Sequence, residues 1–418
     1  MTRAPLRVAV LGAGTVGREV VRGLAALERA GAVELVGIAV RDIERAREHG
    51  LPADLLTDAP AHLVASPETD VIVELMGGDE PAHTLVAAAL GGGKSVVTAN
   101  KHVVAHHGAS LEAASRRTGA PFRFEAAVGG GIPVLGPLAA DLAANRVTRV
   151  RGIVNGTTNH ILSAMASDGR TYEAALREAQ ELGYAEADPS GDVGGHDAVN
   201  TIVILARLAF GGWVDPAGVR HRPPALGGDG GPGITGVTAA EVSGAAAVGL
   251  TVRLLAEAAR PRPDGPIVVS VVPTAVPIAS ALGATGGVRN RIEIEAEPVG
   301  AIGFDGPGAG GAATSSAVLG DVLAVVRGGG STWAGLPPPA AVAADAVGDG
   351  LAARRAWFVL LPGAAAGATA RQIAEASAEV PGGLAVRTKA ITLEALRRRF
   401  AKAAPELAAV PCYPVEDR

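Results

Sequence analysis

Leu6-Arg7-Val8-Ala9-Val10-Leu11 runs straight into Gly12-Ala13-Gly14-Thr15-Val16-Gly17, a short apolar strand followed at once by a G-x-G-x-x-G turn. A helical pattern over 18–29 and a second apolar run over 33–40 come next. Strand, glycines, helix and strand in that order form the βαβ unit that binds a dinucleotide. Its glycines permit a tight turn and bring backbone N–H groups close to a pyrophosphate at the helix N-terminus. Such units present an acidic residue to the ribose 2′-hydroxyl after the second strand. Here the tip reads Ala39-Val40-Arg41-Asp42. Arg41 suits a 2′-phosphate, which favours NADP(H), while Asp42 leaves NAD(H) open.

The chain has 418 residues, 48% hydrophobic and 19% charged, with 57 Gly and 28 Pro, which allows two or three domains with real cores. A net charge of −5 gives no reason to expect nucleic acid or an anionic membrane as partner. The single Cys412 excludes an internal disulfide framework and fits a reducing cytoplasm. No secretory signal pattern precedes the first strand, and no apolar run reaches membrane-spanning length.

Further βα units follow. A strand over 71–75 ends in Met76-Gly77-Gly78, and a helix covers 81–90. A strand over 95–98 closes on Thr98 and leads to Ala99-Asn100-Lys101, then a helix spans 110–118 and a strand 121–126. This alternation predicts a doubly wound, Rossmann-type parallel sheet with ligands beyond the strand C-termini, where Gly77, Gly78, Thr98, Asn100 and Lys101 lie. From Asp141 the period changes. A strand over 151–155 precedes Gly156-Thr157-Thr158-Asn159-His160, and helices are expected over 161–166, 172–181, 197–210 and 239–260. A Pro/Gly-rich excursion without core pattern occupies 220–233, and strands are expected over 267–272 and 291–297. Gly306-Pro307-Gly308-Ala309-Gly310-Gly311 opens a helix over 315–326, and 329–350 reads as a flexible linker. The tail reads as a small α+β module: strand 356–361, helix 369–380, strand 384–391, helix 393–403 and an apolar stretch over 408–413.

Gly183–Thr201 reads G-Y-A-E-A-D-P-S-G-D-V-G-G-H-D-A-V-N-T and concentrates Glu186, Asp188, Asp192 and Asp197. Partly buried like charges at this density cost free energy unless a cation or cationic substrate sits among them. The nearest lysines in sequence are Lys101 and Lys389.

The ordered set G-A-G-T-V-G at 12–17, E-L-M-G-G at 74–78, V-V-T-A-N-K at 96–101, E-A-A-V-G-G-G-I-P at 125–133, N-G-T-T-N at 155–159, the acidic loop and G-P-G-A-G-G at 306–311 resembles the homoserine dehydrogenase family. The resemblance implies a nucleotide-binding domain over 1–138 and 306–328, an inserted α+β substrate and dimerisation domain over 139–305, and a linker over 329–350. The tail over 351–418 resembles an ACT-type module one strand short. The implied reaction interconverts L-aspartate 4-semialdehyde and L-homoserine with NAD(P)H, in a homodimer. Lys101 then corresponds to the first active-site lysine, and Glu186 and Asp197 hold the substrate amino group. Asp192, Thr157 and Gly183 line its pocket. The dinucleotide site takes Gly12, Gly14, Thr15, Val16, Gly17, Arg41, Gly77, Gly78, Thr98, Asn100, Lys101 and Gly308. Backbone around Glu125, Val128, Gly130 and Ile132 would hold a structural monovalent cation such as sodium.

One position departs from the pattern. The family motif D-x-x-x-K places a second catalytic lysine four residues after Asp197, where this chain has Thr201. Residues spaced i, i+4 share a helix face, so Asp and Lys would pair there. Hydride addition to a carbonyl builds negative charge on oxygen, which an ammonium both stabilises and protonates. A threonine hydroxyl does not protonate an alkoxide. Its loss should cost roughly 3–4 kcal/mol, or about 10²–10³-fold in rate. No lysine lies between 101 and 389, Arg207 is off the Asp197 face and stays charged, and His160 and His196 adjoin site motifs as alternative donors. Three readings stay open. A carboxyl of raised pKa acts as the acid or the site prefers a more cationic substrate; catalysis is lost and a cofactor-binding homologue remains; or Lys101 suffices for the ordinary reaction. The expectation is an NADP-preferring oxidoreductase of homoserine dehydrogenase type, acting on a small amino-acid substrate.

Overall fold

The computed structural model describes residues 4–333, 335–339, 347–363 and 367–416. Its first part alternates β1 (Leu6–Leu11), α1 (Thr15–Arg29), β2 (Val33–Ala39), α2 (Ile43–Glu48), β3 (Leu56–Thr57), α3 (Pro60–Ala65), β4 (Val71–Glu74), α4 (Ala82–Gly91), β5 (Ser95–Thr98), α5 (Lys101–Thr118) and β6 (Phe122–Arg123). The strands form one parallel sheet in the order β3-β2-β1-β4-β5-β6. Val8–Leu11 and Val71–Val73 are buried continuously, as expected for strands covered on both faces. The strand order reverses between β1 and β4, which opens a crevice beyond their C-termini. Gly12 sits there with φ +97°, and a Cβ on it would lie 2.7 Å from the Leu75 carbonyl oxygen. Only glycine fits that crossing.

Helix α5 starts at Lys101, well before the expected 110. Asn100 caps it, its side chain accepting from the Val103 N–H, and Val103, Val104 and Leu111 are buried along its inner face. Three histidines and Gly108 in the first half had disguised that stripe.

A second, mostly antiparallel sheet begins after α6 (Leu135–Ala139). It is built from β7 (Arg146–Ile153), then, beyond α7 (Gly156–Asp168), α8 (Tyr172–Glu181), α9 (Ser190–Val193), α10 (His196–Phe210), the hairpin β8 (Pro224–Ala225) and β9 (Gly228–Asp229) and α11 (Ala239–Ala247), from β10 (Leu250–Ala259), β11 (Ile267–Pro277), α12 (Ala281–Ala284), β12 (Arg289–Glu297) and β13 (Gly300–Pro307). Helix α13 (Gly311–Val326) then returns to the first sheet, where Gly23 of α1 makes room for Leu319. Strand β14 (Val347–Asp349) adds parallel to β11 and completes the order β13-β12-β7-β10-β11-β14.

Several expectations are corrected here. The single helix over 239–260 is α11 followed by a turn at Gly249 (φ +79°) and the ten-residue strand β10. All of β10 except Glu257 is fully buried, so its apolar run carries no alternation, and periodicity cannot tell such a strand from a buried helix. Gly306 and Pro307 belong to β13, so the glycine loop begins at Gly308. In 220–233, Pro224, Ala225 and Leu226 are buried, and Leu226 N–H donates to the Val410 carbonyl. The start of the linker at 329–350 is packed. Thr332 N–H donates to Phe122 O, its hydroxyl accepts from Phe124 N–H, and Trp333 packs edge-on against Phe122. The stretch 340–346 of that linker lies outside the described residues.

The tail comprises β15 (Trp357–Leu361), α14 (Gly367–Ile373), β16 (Ala374–Val380), β17 (Gly383–Thr388), α15 (Leu393–Ala403) and β18 (Tyr413–Pro414), in the antiparallel order β16-β17-β15-β18. This is a complete βαββαβ split unit of ferredoxin-like type, not one strand short. The missed strand is Ala-Glu-Ala-Ser-Ala-Glu-Val, whose alanines look helical but whose exposure alternates residue by residue. Beyond β18, Glu416 N–H donates to Ala275 O of β11. Its carboxylate pairs with Arg151 (2.7 Å) and Arg149 (3.1 Å) on β7.

Two long helices, α5 and α10, carry the site and are locked together far from it. Glu112 of α5 and Arg207 of α10, both 0% exposed, form a forked pair at 2.9 and 2.6 Å. Arg116 and the Trp213 indole N–H complete the carboxylate's shell. Burial opposes the charge, but these donors outweigh it and hold Glu112 below the ordinary carboxylate range. Glu112→Ala, which strands a buried guanidinium, is expected to cost about 3–5 kcal/mol in a denaturant melt. Glu112→Gln, which keeps an acceptor for Trp213, should lose less.

Candidate active site

A cleft of about 640 Å³ occupies the crevice at the strand-order reversal. Gly12, Gly14 and Thr15 line it on one side and Met76 and Gly77 on the other. Helix α1 opens from Gly14 with no side-chain cap and no acidic residue in its first turn, so its N-terminal dipole and N–H groups are left for an anion. Val16 packs on the apolar core below, and Gly17 lets that turn close on Gly12. Arg18, Arg41, Arg45 and His49 line the cleft, together with the carboxylates Asp42, Asp58 and Glu80. Asp42 is used as the α2 N-cap, accepting from Arg45 N–H at 3.0 Å. Arg45 escaped the sequence reading, although its place one turn beyond Arg41 was the available signal.

The wall opposite is held by one buried carboxylate. Glu74 accepts from Met76 N–H (2.8 Å), Gly77 N–H (3.3 Å) and the Thr98 hydroxyl (2.6 Å). Thr98 Oγ1 in turn accepts from Asn100 N–H, and the Asn100 amide donates to Gly78 O at 2.8 Å. Burial pushes the Glu74 carboxyl up. The web ties the tips of β4 and β5 and fixes the left-handed turn at Gly77 and Gly78 (φ +72° and +73°).

Next to this wall the N-termini of α5, α7 and α10 converge. Lys101 Nζ lies 2.7 Å from Asp197 Oδ2. The Asn155 side chain caps α7 with its oxygen and donates from its nitrogen to Asp192 Oδ1 (2.7 Å) and Asp197 Oδ2 (3.3 Å). Three helix dipoles thus present their positive ends to two carboxylates, which helps hold the carboxylates there. Burial first, then the neighbouring Asp197, push the Asp192 carboxyl above its ordinary range, against the pull of hydrogen bonds from Asn155 and Thr157 and of the Lys101 charge. Asn155 stands in a quoted motif, but its bridging role was not legible there.

The remaining expected residues fall around this cluster. Thr157, in the first turn of α7, donates its hydroxyl to Tyr184 O at 2.7 Å. Gly183 (φ +75°) forms the exposed turn after α8. Glu186 is exposed on the same loop, and among the described residues no hydrogen bond or ion pair ties its carboxylate to Asp192 or Asp197. Asp188 is exposed and accepts from Ser190 N–H. Thr201 is 1% exposed, and its hydroxyl turns back to donate to the Asp197 carbonyl at 3.2 Å. The two alternative histidines lie elsewhere: His160 packs edge-on to Tyr184 near Glu178, and His196 against His221.

Glu125 uses its carboxylate on the N–H groups of Val134, Leu135 and Gly136, each at 2.8 Å. Any cation held by Glu125, Val128, Gly130 and Ile132 would therefore meet backbone carbonyls, a neutral donor set that suits a monovalent ion. Gly129 and Gly130 both have positive φ, and a Cβ on Gly130 would strike Gly308 O, so that loop is a bare backbone turn. No cluster of three or more His, Cys, Asp or Glu able to hold a metal exists among the described residues.

A parallel six-stranded sheet, a glycine turn at its strand-order reversal and a lysine–carboxylate cluster beside it define an NAD(P)-dependent oxidoreductase. The comparisons with known proteins narrow the class. Residues 12–125 match the family described as homoserine dehydrogenase, NAD binding domain, and residues 133–323 match homoserine dehydrogenase. The chain is 46% identical over 334 residues to the Mycobacterium tuberculosis homoserine dehydrogenase, covering 77% of this chain and 73% of that one. It is 43% identical over 347 residues to the Corynebacterium glutamicum enzyme, covering 79% and 76%. The crystal structure of a homoserine dehydrogenase from Thiobacillus denitrificans superposes with a TM-score of 0.84 at 32% identity, over 99% of this chain and 98% of that one. A hyperthermophilic archaeal homoserine dehydrogenase in complex with NADPH superposes at 0.64 with 28% identity, over 78% and 98%. The protein belongs to the homoserine dehydrogenase family.

Glu74→Ala removes the acceptor shared by two loop N–H groups and Thr98. It is expected to weaken NADPH binding by about 1–3 kcal/mol, read by fluorescence titration, with Asn100→Ala showing a smaller loss in the same direction.

Proposed function

We propose that the chain interconverts L-aspartate 4-semialdehyde and L-homoserine with NADP(H) preferred over NAD(H), at the Lys101–Asp197–Asn155–Asp192 cluster. The observation that carries this reading is the placement of that cluster beside the Gly77–Gly78 wall of the dinucleotide cleft. Bound NADPH supplies the hydride. Gly12, Gly14, Thr15, Val16 and Gly17 form the pyrophosphate turn, while Gly77, Gly78, Thr98, Asn100 and Gly308 frame the nicotinamide half. Lys101 directs its ammonium at the substrate oxygen. Asp197 orients that ammonium and, with Glu186, receives the substrate amino group, and Asp192, Thr157 and Gly183 border the pocket.

Cofactor preference rests on Arg41 and Arg45, which line the cleft while Asp42 is engaged as a cap. The NADPH complex of the archaeal relative supports the same choice. In this reading 1–138 with 306–328 binds nucleotide, 139–305 serves substrate binding and dimerisation, and 351–418 is the regulatory module, with Gly306 and Pro307 at the boundary still paired in β13. A homodimer closing on the second sheet would cover Ile278 and Val288, both large, apolar and exposed. A sodium-like cation in the 125–132 turn remains part of this reading, as does a cytoplasmic setting, in keeping with one buried cysteine and no helix among the described residues long and apolar enough to cross a membrane.

The test follows NADPH oxidation with aspartate semialdehyde. Wild-type turnover is expected, with Lys101→Met losing roughly 10²-fold or more. Absence of turnover while NADPH still binds would overturn the reading. The pair Arg41→Ser/Arg45→Ala should shift the NADPH-to-NADH preference about 10- to 100-fold toward NADH, since each charge-assisted contact is worth about 1.5–3 kcal/mol.

A further inference from the structure

Replacing the family lysine by Thr201 leaves the site one positive charge short. Asp192 and Asp197 ionised carry two negative charges against the single ammonium of Lys101. A zwitterionic amino acid adds none, so the filled site holds a net −1 before the exposed Glu186, which shares the substrate ammonium, is counted. Hydride transfer would add a further negative charge to the substrate oxygen. A partly buried site resolves such an excess by keeping one carboxyl protonated.

The hydrogen bonds identify which carboxyl. Asp197 Oδ2 receives both the Lys101 ammonium and the Asn155 amide, so Asp197 is the ionised partner. Asp192 receives the Asn155 amide on Oδ1 and, among the described residues, has no ammonium within ion-pair distance. The Thr157 hydroxyl reaches both Tyr184 O, at 2.7 Å, and Asp192, and its one proton serves only one of them at a time. A proton kept on Tyr184 O leaves Asp192 facing a lone pair, which a carboxylic O–H satisfies, whereas a proton turned to Asp192 favours its carboxylate, a pull that burial outweighs. The charged groups facing Asp192 are Asp197 of α10 and Lys101 of α5, while its α7 neighbours Asn155 and Thr157 are neutral. The other donors are turned away: the Thr201 hydroxyl to its own helix, His160 to Tyr184 and His196 to His221.

We propose that Asp192 is the general acid that stands in for the missing lysine, giving its carboxylic proton to the aldehyde oxygen as hydride reaches the carbon. This rests on the reaction proposed above. A C–H bond forms from the hydride, the C=O π pair moves to oxygen, and an O–H bond forms as the Asp192 O–H bond breaks. The aldehyde is reduced, the dinucleotide is oxidised, and Asp192 is left as a carboxylate between Lys101 and Asn155. It recovers its proton from solvent, and in the alcohol-oxidising direction the same carboxylate is the base. The burial that raises the Asp192 pKa keeps the acid form populated above the ordinary carboxylate range.

The test measures kcat for aldehyde reduction against pH in four proteins: wild type, Asp192→Asn, Thr201→Lys and the double variant. An acid that must be protonated gives a wild-type kcat that falls as pH rises through its pKa. Asp192→Asn should lose that limb and about 10²-fold in kcat, with KM and NADPH affinity little changed, while Asp192→Glu keeps the limb. In the Thr201→Lys background the same Asp192→Asn change should cost less than about tenfold, because the lysine takes over. Equal losses in both backgrounds would overturn the proposal, reducing Asp192 to a structural neighbour. A limb that survives in Asp192→Asn and vanishes in His106→Asn would overturn it too, since His106 hydrogen-bonds Asn200 beside Thr201. An enzyme that turns over normally without Asp192 leaves the reaction standing and removes only this assignment. No turnover by any variant with NADPH bound removes both.

Discussion

The site depends on the parallel seam between α5 and α10. Each helix carries a charged active-site residue in its first turn, and Lys101 meets Asp197 there at 2.7 Å. Further down, His106 meets Asn200, and the buried Glu112–Arg207 pair closes the seam. The rise from Lys101 to Glu112 and from Asp197 to Arg207 is about 15–17 Å in each helix, so the two ion pairs come into register together. Gly108 lies against the Trp213 ring where a methyl group would clash, which lets the segment just after α10 pack on α5 and reach Glu112. The upper pair stays half open to solvent and can exchange partners with substrate, whereas the lower pair is sealed. The seam thus supplies rigidity at one end and reactivity at the other.

The sequence carried the parts of this arrangement that are local. The strand and glycine turn at 6–17 fixed the first sheet, and the amphipathic helices at 172–181 and 393–403 match to the residue. Resemblance to the family brought Lys101 and Asp197 together although 96 residues separate them. What escaped was non-local or unpatterned. Strand β10 is buried on both faces, so its register in the sheet centre left no alternation to read. Strand β16 has alternation, but in alanines and glutamates that favour helices. Asn155 and Glu74 each satisfy three partners, some local and some from distant elements, and an amide or a carboxylate in a motif does not announce which distant elements it will join.

Thr201 shows how a substitution read as a loss rearranges its surroundings. A buried hydroxyl with no partner would be costly, and the side chain resolves this by bonding its own helix carbonyl. The position is quiet structurally. Its electrostatic consequence is displaced onto Asp192 and Asp197, which share one amide and one ammonium between them.

The pairing of Glu416 with Arg149 and Arg151 sets an order on how the molecule is made. The first sheet and its returning helix α13 are complete by Val326. The second sheet contains β7, yet one carboxylate shared by its two arginines arrives 267 residues later. During synthesis the nucleotide half can therefore close while the ribosome is still extending the chain. The other half keeps a partly compensated cationic patch until the tail docks beside β11, a window in which a nascent-chain chaperone would find the second half rather than the first.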